Sequence, residues 1–121
     1  MKLINQLLQL YFAPRLREID YFRRHPHEVQ QQQYARLLKA GERTAFGREH
    51  GIYAGMPYEE FRRRVPVMEY ADLAPYVERI RGGEKRVTWP GKVGWFAKSS
   101  GTTSAAAKLI PLTREGLHDS H

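Results

Sequence analysis

The sequence of 121 residues contains no cysteine. Disulfide bridges, zinc–thiolate sites and thiol catalysis are therefore excluded within this chain, and a cytoplasmic protein is expected. Long apolar runs are also lacking, since no stretch approaches the ~20 apolar residues of a membrane-spanning helix. Near the start, Asn5, Gln6 and Gln9 interrupt the apolar run and no small-residue cleavage site follows, so no signal peptide is predicted.

Acidic residues are in the minority, with 13 Asp and Glu against 20 Lys and Arg and a net charge of +7. Such a balance favours acidic partners, namely nucleotides, nucleic acid or anionic lipid, without choosing among them. The dense basic clusters are Arg23-Arg24 and Arg62–Arg64, and acids or histidines flank both. We interpret these clusters as solvated helix faces.

Apolar residues at positions 3, 4, 7, 8, 11 and 12 predict an amphipathic helix, whose apolar stripe continues to about residue 24. Pro14 indicates the first turn of a new helical segment rather than a helix interior. A membrane-surface helix is one interpretation of the stripe. Packing on the protein itself is favoured, because residues 3–14 carry no charge.

Proline and glycine punctuate the rest of the chain. They predict helices over 26–41, 43–50, 57–64 and 70–81, with a new start at Pro75 and an end at Gly82-Gly83. Strands are predicted at 93–97 and 108–112, and a short one is possible at 85–89. Thr113 is a predicted N-cap for a helix that has barely begun where the sequence ends, which suggests a cut chain. The predicted organisation is a helical N-terminal segment, 1–83, followed by a second segment, 84–121.

A small, hydroxyl-rich loop at 98–108 separates the two later strands. Glycine permits a tight turn, successive backbone N–H groups form a concave anion site, and hydroxyls and lysine add donors and charge. The composition and the flanking lysines are those of a phosphate-binding hairpin, although a loop of this composition taken alone is also typical of an ordinary hairpin. The loop is neither a Walker loop nor a dinucleotide fingerprint. The candidate ligand-binding residues are Ser99, Ser100, Gly101, Thr102, Thr103, Ser104 and Lys108.

The segment Ser99–Ser104, followed by Lys108, resembles the first signature of adenylate-forming enzymes, which include acyl-CoA synthetases and firefly luciferase. The residues on either side of the loop narrow the resemblance to the auxin-responsive-promoter family of acyl-acid amido synthetases. This resemblance covers nearly the whole chain. Similar stretches are Trp95–Lys98, Lys108–Pro111, His25–Gln30, Phe61–Val67, Tyr76–Ile80 and Trp89-Pro90.

The resemblance implies an ATP-dependent ligase, with Mg²⁺ accompanying ATP, that activates a carboxylic acid as an acyl-adenylate and transfers it to an amine, commonly an amino acid. It implies an α+β fold, in which a helical N-terminal layer precedes the first strands of a large, here incomplete, adenylate-forming α/β domain. The loop would bind nucleotide phosphate. No catalytic residue is assigned within this piece, which is expected to be inactive alone. Ala105 stands where the family often has glycine.

The rival is a small basic helical module that binds nucleic acid or an anionic surface. His25-x-His27 and His118-x-x-His121 lack the carboxylate or cysteine company of zinc sites, so no metal site is predicted. Trp89, Trp95 and Phe96 could stack on bases, but core packing is favoured.

Overall fold

A computed structural model describes residues 2–99 and 107–119 of the chain. It separates into two compact units, Met1–Arg36 and Leu37–His121. The described residues form helices followed by a two-stranded antiparallel sheet and a short helix, which confirms the α+β class. The elements are α1 (Lys2–Arg24), α2 (Pro26–Gly41), α3 (Ala45–Glu49), α4 (Tyr58–Arg64), α5 (Tyr70–Arg81), β1 (Val93–Lys98), β2 (Leu109–Thr113) and α6 (Arg114–Asp119).

Helix α1 is continuous, with Pro14 inside it, so the predicted new start at Pro14 is wrong. A proline inside a helix removes the hydrogen bond to the carbonyl four residues earlier, here Leu10. Leu10 is 73% exposed, so water can satisfy that carbonyl. No described helix is long and apolar enough to cross a membrane.

The apolar stripe of α1 is exposed along its length. Leu3 is 73% exposed, Tyr11 78% and Phe22 58%. The stripe is thus not covered within the unit Met1–Arg36, and its packing on the rest of the protein stays a prediction. Periodicity identifies which side chains share a helix face, but not what covers that face.

The two basic clusters pair with acids on their own helices, as expected of solvated helix faces. Arg24 lies 2.7 Å from a carboxylate oxygen of Asp20, and Arg64 lies 2.6 Å from one of Glu60. Such exposed pairs contribute only about 0–1 kcal/mol each.

The core of the second unit gathers apolar side chains from helices and from the connecting segments. Met56 and Val87 are each 1% exposed, and both lie outside regular elements. From α5, the aligned Val77 and Ile80 are buried, as their spacing predicts. Burial of such side chains stabilises by about 1.5–3 kcal/mol each. Leu38 and Ala45 are also buried.

The possible strand at 85–89 is absent from the structure, where residues 85–88 form bends. Arg86 has a positive φ of 58°, which breaks an extended conformation. The carbonyl oxygens of Arg86 and Val87 accept the backbone N–H groups of Ala45 and Phe46, at 2.8 and 2.9 Å. These are the first N–H groups of α3, which have no partner inside the helix. The segment thus caps a helix instead of pairing with a strand.

Helix α5 runs through Pro75, so the predicted new start there is also wrong. The missing N–H of Pro75 would have bonded to the carbonyl of Ala71, which lies in the exposed first turn. At the N-terminus, a carboxylate oxygen of Asp72 accepts the N–H of Glu69 at 2.9 Å. The helix ends at Gly82-Gly83 as predicted, where Gly83 has a φ of +91°.

Strands β1 and β2 form an antiparallel hairpin, in which Ala97 pairs with Ile110 and Lys98 with Leu109. Trp95 is 51% exposed, so the prediction of core packing is wrong for this residue. The Thr113 hydroxyl accepts the N–H of Gly116 at 3.0 Å, which confirms the N-cap of α6. The hairpin therefore brings the two ends of the segment between Lys98 and Lys108 to one edge of the fold.

Candidate functional site

Two candidate residues are hydrogen-bonded to each other at the loop end of the hairpin. The backbone N–H of Ser99 donates to the carbonyl oxygen of Lys108 at 3.0 Å. In return, the N–H of Lys108 donates to the hydroxyl oxygen of Ser99 at 3.2 Å. A serine hydroxyl has one donor and two acceptor lone pairs, so this bond leaves its hydrogen able to donate to a ligand. The remaining candidates, Ser100, Gly101, Thr102, Thr103 and Ser104, lie outside the described residues.

Lys108 is exposed, and its ammonium lies 5.5 Å from the centre of the Tyr70 ring. A cation within about 6 Å of an aromatic face is attracted by the ring quadrupole. The positive charge is therefore held next to the hydrogen-bonded pair. This placement is compatible with the charge contribution that the resemblance implies for Lys108, which stays a prediction.

Tyr70 is a site residue that sequence reasoning missed. Its hydroxyl accepts the N–H of Leu109 at 2.8 Å and donates to the carbonyl oxygen of the same residue at 3.1 Å. Tyr70 is half-buried and is the first residue of α5. It thus ties the start of a helix to the first residue of β2, directly after Lys108. Because 39 positions separate the partners, no local sequence pattern signals the contact.

A polar cluster fixes α5 to its neighbours. Glu49 of α3 accepts a 2.5 Å hydrogen bond from the Tyr76 hydroxyl and one of 3.0 Å from Arg79. Arg79 also forms a two-pronged contact with Glu84, at 2.8 and 2.7 Å. The hydrogen bond from Tyr76, with help from Arg79, lowers the pKa of Glu49, and Arg79 lowers the pKa of Glu84. The bond to Glu49 raises the pKa of the Tyr76 hydroxyl.

These lowered pKa values predict that acid weakens the second unit. A carboxylate whose pKa is lower in the folded than in the unfolded state adds stability above the unfolded value, 4.5 here, and loses it as the pH falls through the folded value. The melting temperature of the unaltered protein should therefore decrease from neutral pH to below pH 4.5. In Glu49→Gln the decrease should be smaller, because one such carboxylate is gone. Parallel curves for the two proteins would contradict this assignment.

An open depression of about 470 Å³ lies at the other end of β1 and includes Lys85, Arg86 and Trp89 in its wall. It is formed by the 80–93 region, and neither Ser99 nor Lys108 contributes to it. Among the residues that the structure describes, no group of His, Asp and Glu could hold a metal ion. Binding of an anion by Ser99 and Lys108 stays a prediction.

Comparison with known proteins decides the family. The GH3 family N-terminal domain matches residues 15–121, which include the whole segment between Ser99 and Lys108. The chain belongs to the GH3 family. This result confirms the membership that the loop and its flanks predicted.

The curated relatives of the GH3 chain are much longer proteins. A probable indole-3-acetic acid-amido synthetase, GH3.2 of Oryza sativa subsp. japonica, is 32% identical over 87% of this chain, which covers 17% of that relative. The probable indole-3-acetic acid-amido synthetase GH3.1 of Arabidopsis thaliana is 29% identical over 87% of the chain, 18% of its own length. Indole-3-acetic acid-amido synthetase GH3.8 of Oryza sativa subsp. indica is 31% identical over 85%, 17% of its length. The chain thus spans less than a fifth of these relatives.

Proposed function

We propose that this GH3 chain supplies the phosphate-binding hairpin of an ATP-dependent ligase that joins a carboxylic acid to an amine, commonly an amino acid. The observation that carries the proposal is the closure of the hairpin by Ser99 and Lys108, at 3.0 and 3.2 Å, in a chain whose relatives are named amido synthetases. The closure brings a hydroxyl donor and a cation to the two ends of one loop.

The proposed reaction has two steps. A carboxylate oxygen of the acid attacks the α-phosphorus of ATP, and pyrophosphate leaves with the bonding electrons. The amine then attacks the acyl carbon, loses a proton and displaces AMP, which yields the amide. Adenylyl transfer of this kind depends on positioning the reacting groups and on neutralising the phosphate charge, which hydrogen-bond donors and cations supply. Mg²⁺ arrives with ATP as part of the substrate, bound by phosphate oxygens and water.

The described residues can supply part of this positioning and charge neutralisation. The Ser99 hydroxyl can donate to a phosphate oxygen while it still accepts the N–H of Lys108. The flexible stem of Lys108 allows its exposed ammonium to turn from the Tyr70 ring toward a phosphate. Ser100, Thr102 and Thr103 are proposed to add donors, and Gly101 to permit the turn.

ATP–pyrophosphate exchange tests the proposal on the full polypeptide that the gene encodes, across a panel of carboxylic acids that includes indole-3-acetate. ATP–pyrophosphate exchange should occur only in the presence of acids of one chemical class. Ser100→Ala should lower the exchange rate by about 10²-fold, because the loss of one donor to a developing phosphate charge has a cost of this order. Thr88→Ala, in a bend away from the hairpin end, is the matched control and should retain the rate. The proposal fails if no acid supports exchange, or if Ser100→Ala exchanges as fast as the control.

The rival function, binding of nucleic acid or an anionic surface, gains no support from the arginine clusters. Arg24 and Arg64 already pair with Asp20 and Glu60 at 2.7 and 2.6 Å. A phosphate backbone would have to compete with these carboxylates, which lowers the net attraction.

A further inference from the structure

We infer that Tyr70 is a positioning residue for Lys108 in the phosphate-binding hairpin, because its hydroxyl fixes the strand that begins directly after Lys108 and its ring attracts the Lys108 ammonium. The inference rests on the proposed function, because it assigns Tyr70 a role toward the nucleotide phosphates. It adds a residue from α5, outside the loop and its flanking strands.

The hydroxyl of Tyr70 completes the outer edge of β2. In an antiparallel pair, the N–H and C=O groups of successive residues point alternately toward the partner strand and away from it. Both backbone groups of Lys108 face Ser99, so those of Leu109 face outward. The Tyr70 hydroxyl satisfies both of these outward groups at once, at 2.8 and 3.1 Å. It takes the place that a third strand would have and prevents β2 from sliding at the residue after Lys108.

The ring of Tyr70 acts on the charge of Lys108. The ammonium lies 5.5 Å from the ring centre, within the range of a cation–π contact. At an exposed position this contact is weak, so the negative charge of a phosphate can draw the ammonium away. Tyr70 therefore limits where the lysine side chain rests without sequestering it.

The tyrosine can do this because its own position is fixed. It is the first residue of α5, whose Val77 and Ile80 are buried in the core. Asp72 accepts the N–H of Glu69, which orders the backbone just before the tyrosine. The position of the loop end is thus set by the helix and the core behind it.

The test compares Tyr70→Phe with the unaltered protein in ATP–pyrophosphate exchange by the full polypeptide. The phenylalanine keeps the ring and removes only the hydroxyl. Loss of the two hydrogen bonds should raise the KM for MgATP by about tenfold, while the KM for the acid and kcat change little. A purely structural role would instead reduce the amount of active protein, which lowers the rate at saturation and leaves the KM for MgATP unchanged. Tyr53→Phe, which removes a hydroxyl that donates to Glu60 at 2.8 Å, is the matched control and should leave the KM unchanged.

A second variant separates positioning from loss of fold. Lys108→Gln should also raise the KM for MgATP, and the double variant with Tyr70→Phe should raise it by less than the product of the single effects. The effects are coupled because the tyrosine is inferred to act through the position of the lysine. An unchanged KM in Tyr70→Phe, or independent effects in the double variant, would overturn the inference while exchange itself persists. No exchange by the unaltered protein with any acid would instead overturn the proposed function, and this inference with it.

Discussion

Replacement of Gly47 with alanine is expected to destabilise the protein by about 3 kcal/mol or more, as overpacking against backbone does at its upper range. Gly47 is buried in α3, where that helix meets the end of α2. A Cβ atom at this position would lie 1.9 Å from the carbonyl oxygen of Gly41 and 2.6 Å from its carbon. Both atoms belong to backbone, which cannot rotate away as a side chain would. The junction of the two helices would therefore have to open.

The free energy of unfolding, measured by denaturant titration, tests this expectation. Gly82→Ala is the matched control, because Gly82 has a φ of −71° and the nearest atoms to an added Cβ lie at 3.5 Å. This control should be neutral, or stabilise by about 0.4–1 kcal/mol through the lower entropy of the unfolded chain. Equal losses in the two variants would show that the close approach to Gly41 is not the cause.

Local signals in the sequence predicted most of the helices. Glycine and proline at the ends of α2, α4 and α5 act through the backbone of the residue itself, so their effect is readable without the tertiary fold. The predicted helix starts at Pro14 and Pro75 are wrong for a related reason. A proline inside a helix costs one hydrogen bond, and both affected carbonyls, those of Leu10 and Ala71, belong to exposed residues that water can reach.

Features that depend on distant contacts were not predictable. The segment at 85–89 has the composition of a strand, but its carbonyl groups bond to the N-terminus of α3, about 40 residues earlier. Trp95 lies on a hairpin whose exposed face no pattern identifies. Sequence patterns report the period of a segment, whereas burial depends on what packs against it.

The candidate site also combines features that the local sequence predicts with one that depends on a distant contact. The composition of the loop and its flanks predicted the family, which the match to residues 15–121 confirms. The alternation of strand and loop predicted a hairpin whose loop is bracketed by Lys98 and Lys108, and the structure joins Ser99 to Lys108 by two hydrogen bonds. Tyr70 could not be found in this way, because its contact spans 39 positions. The binding of phosphate by the loop stays a prediction.

Thr44→Val is expected to destabilise the protein by about 2 kcal/mol, the upper range for loss of a helix N-cap. Thr44 is 0% exposed, and its hydroxyl accepts the N–H of Gly47 at 2.9 Å and donates to the carbonyl of Gly41 at 2.7 Å. The valine side chain has nearly the same shape as that of threonine, but it can neither accept nor donate a hydrogen bond. The Gly41 carbonyl keeps a second donor, the N–H of Thr44 itself, at 2.9 Å. The N–H of Gly47 would be left buried without an acceptor, and that desolvated group carries most of the cost.

Thr44→Ser separates the hydroxyl from the methyl group. Serine keeps both hydrogen bonds and removes one buried methyl, so it should cost about 1 kcal/mol, less than valine does. Hydrogen exchange of the Gly47 amide should accelerate in the valine variant and remain slow in the serine variant, because only valine removes its acceptor. If the Thr44→Val variant were as stable as Thr44→Ser, the hydroxyl would not be the group that holds α3 against the end of α2. Gly41 and Gly47 take part in both predictions, so the losses of unfolding free energy in Thr44→Val and Gly47→Ala should not be additive. Once the Cβ atom of Gly47→Ala has opened the junction between α2 and α3, removal of the Thr44 hydroxyl should destabilise the protein by less.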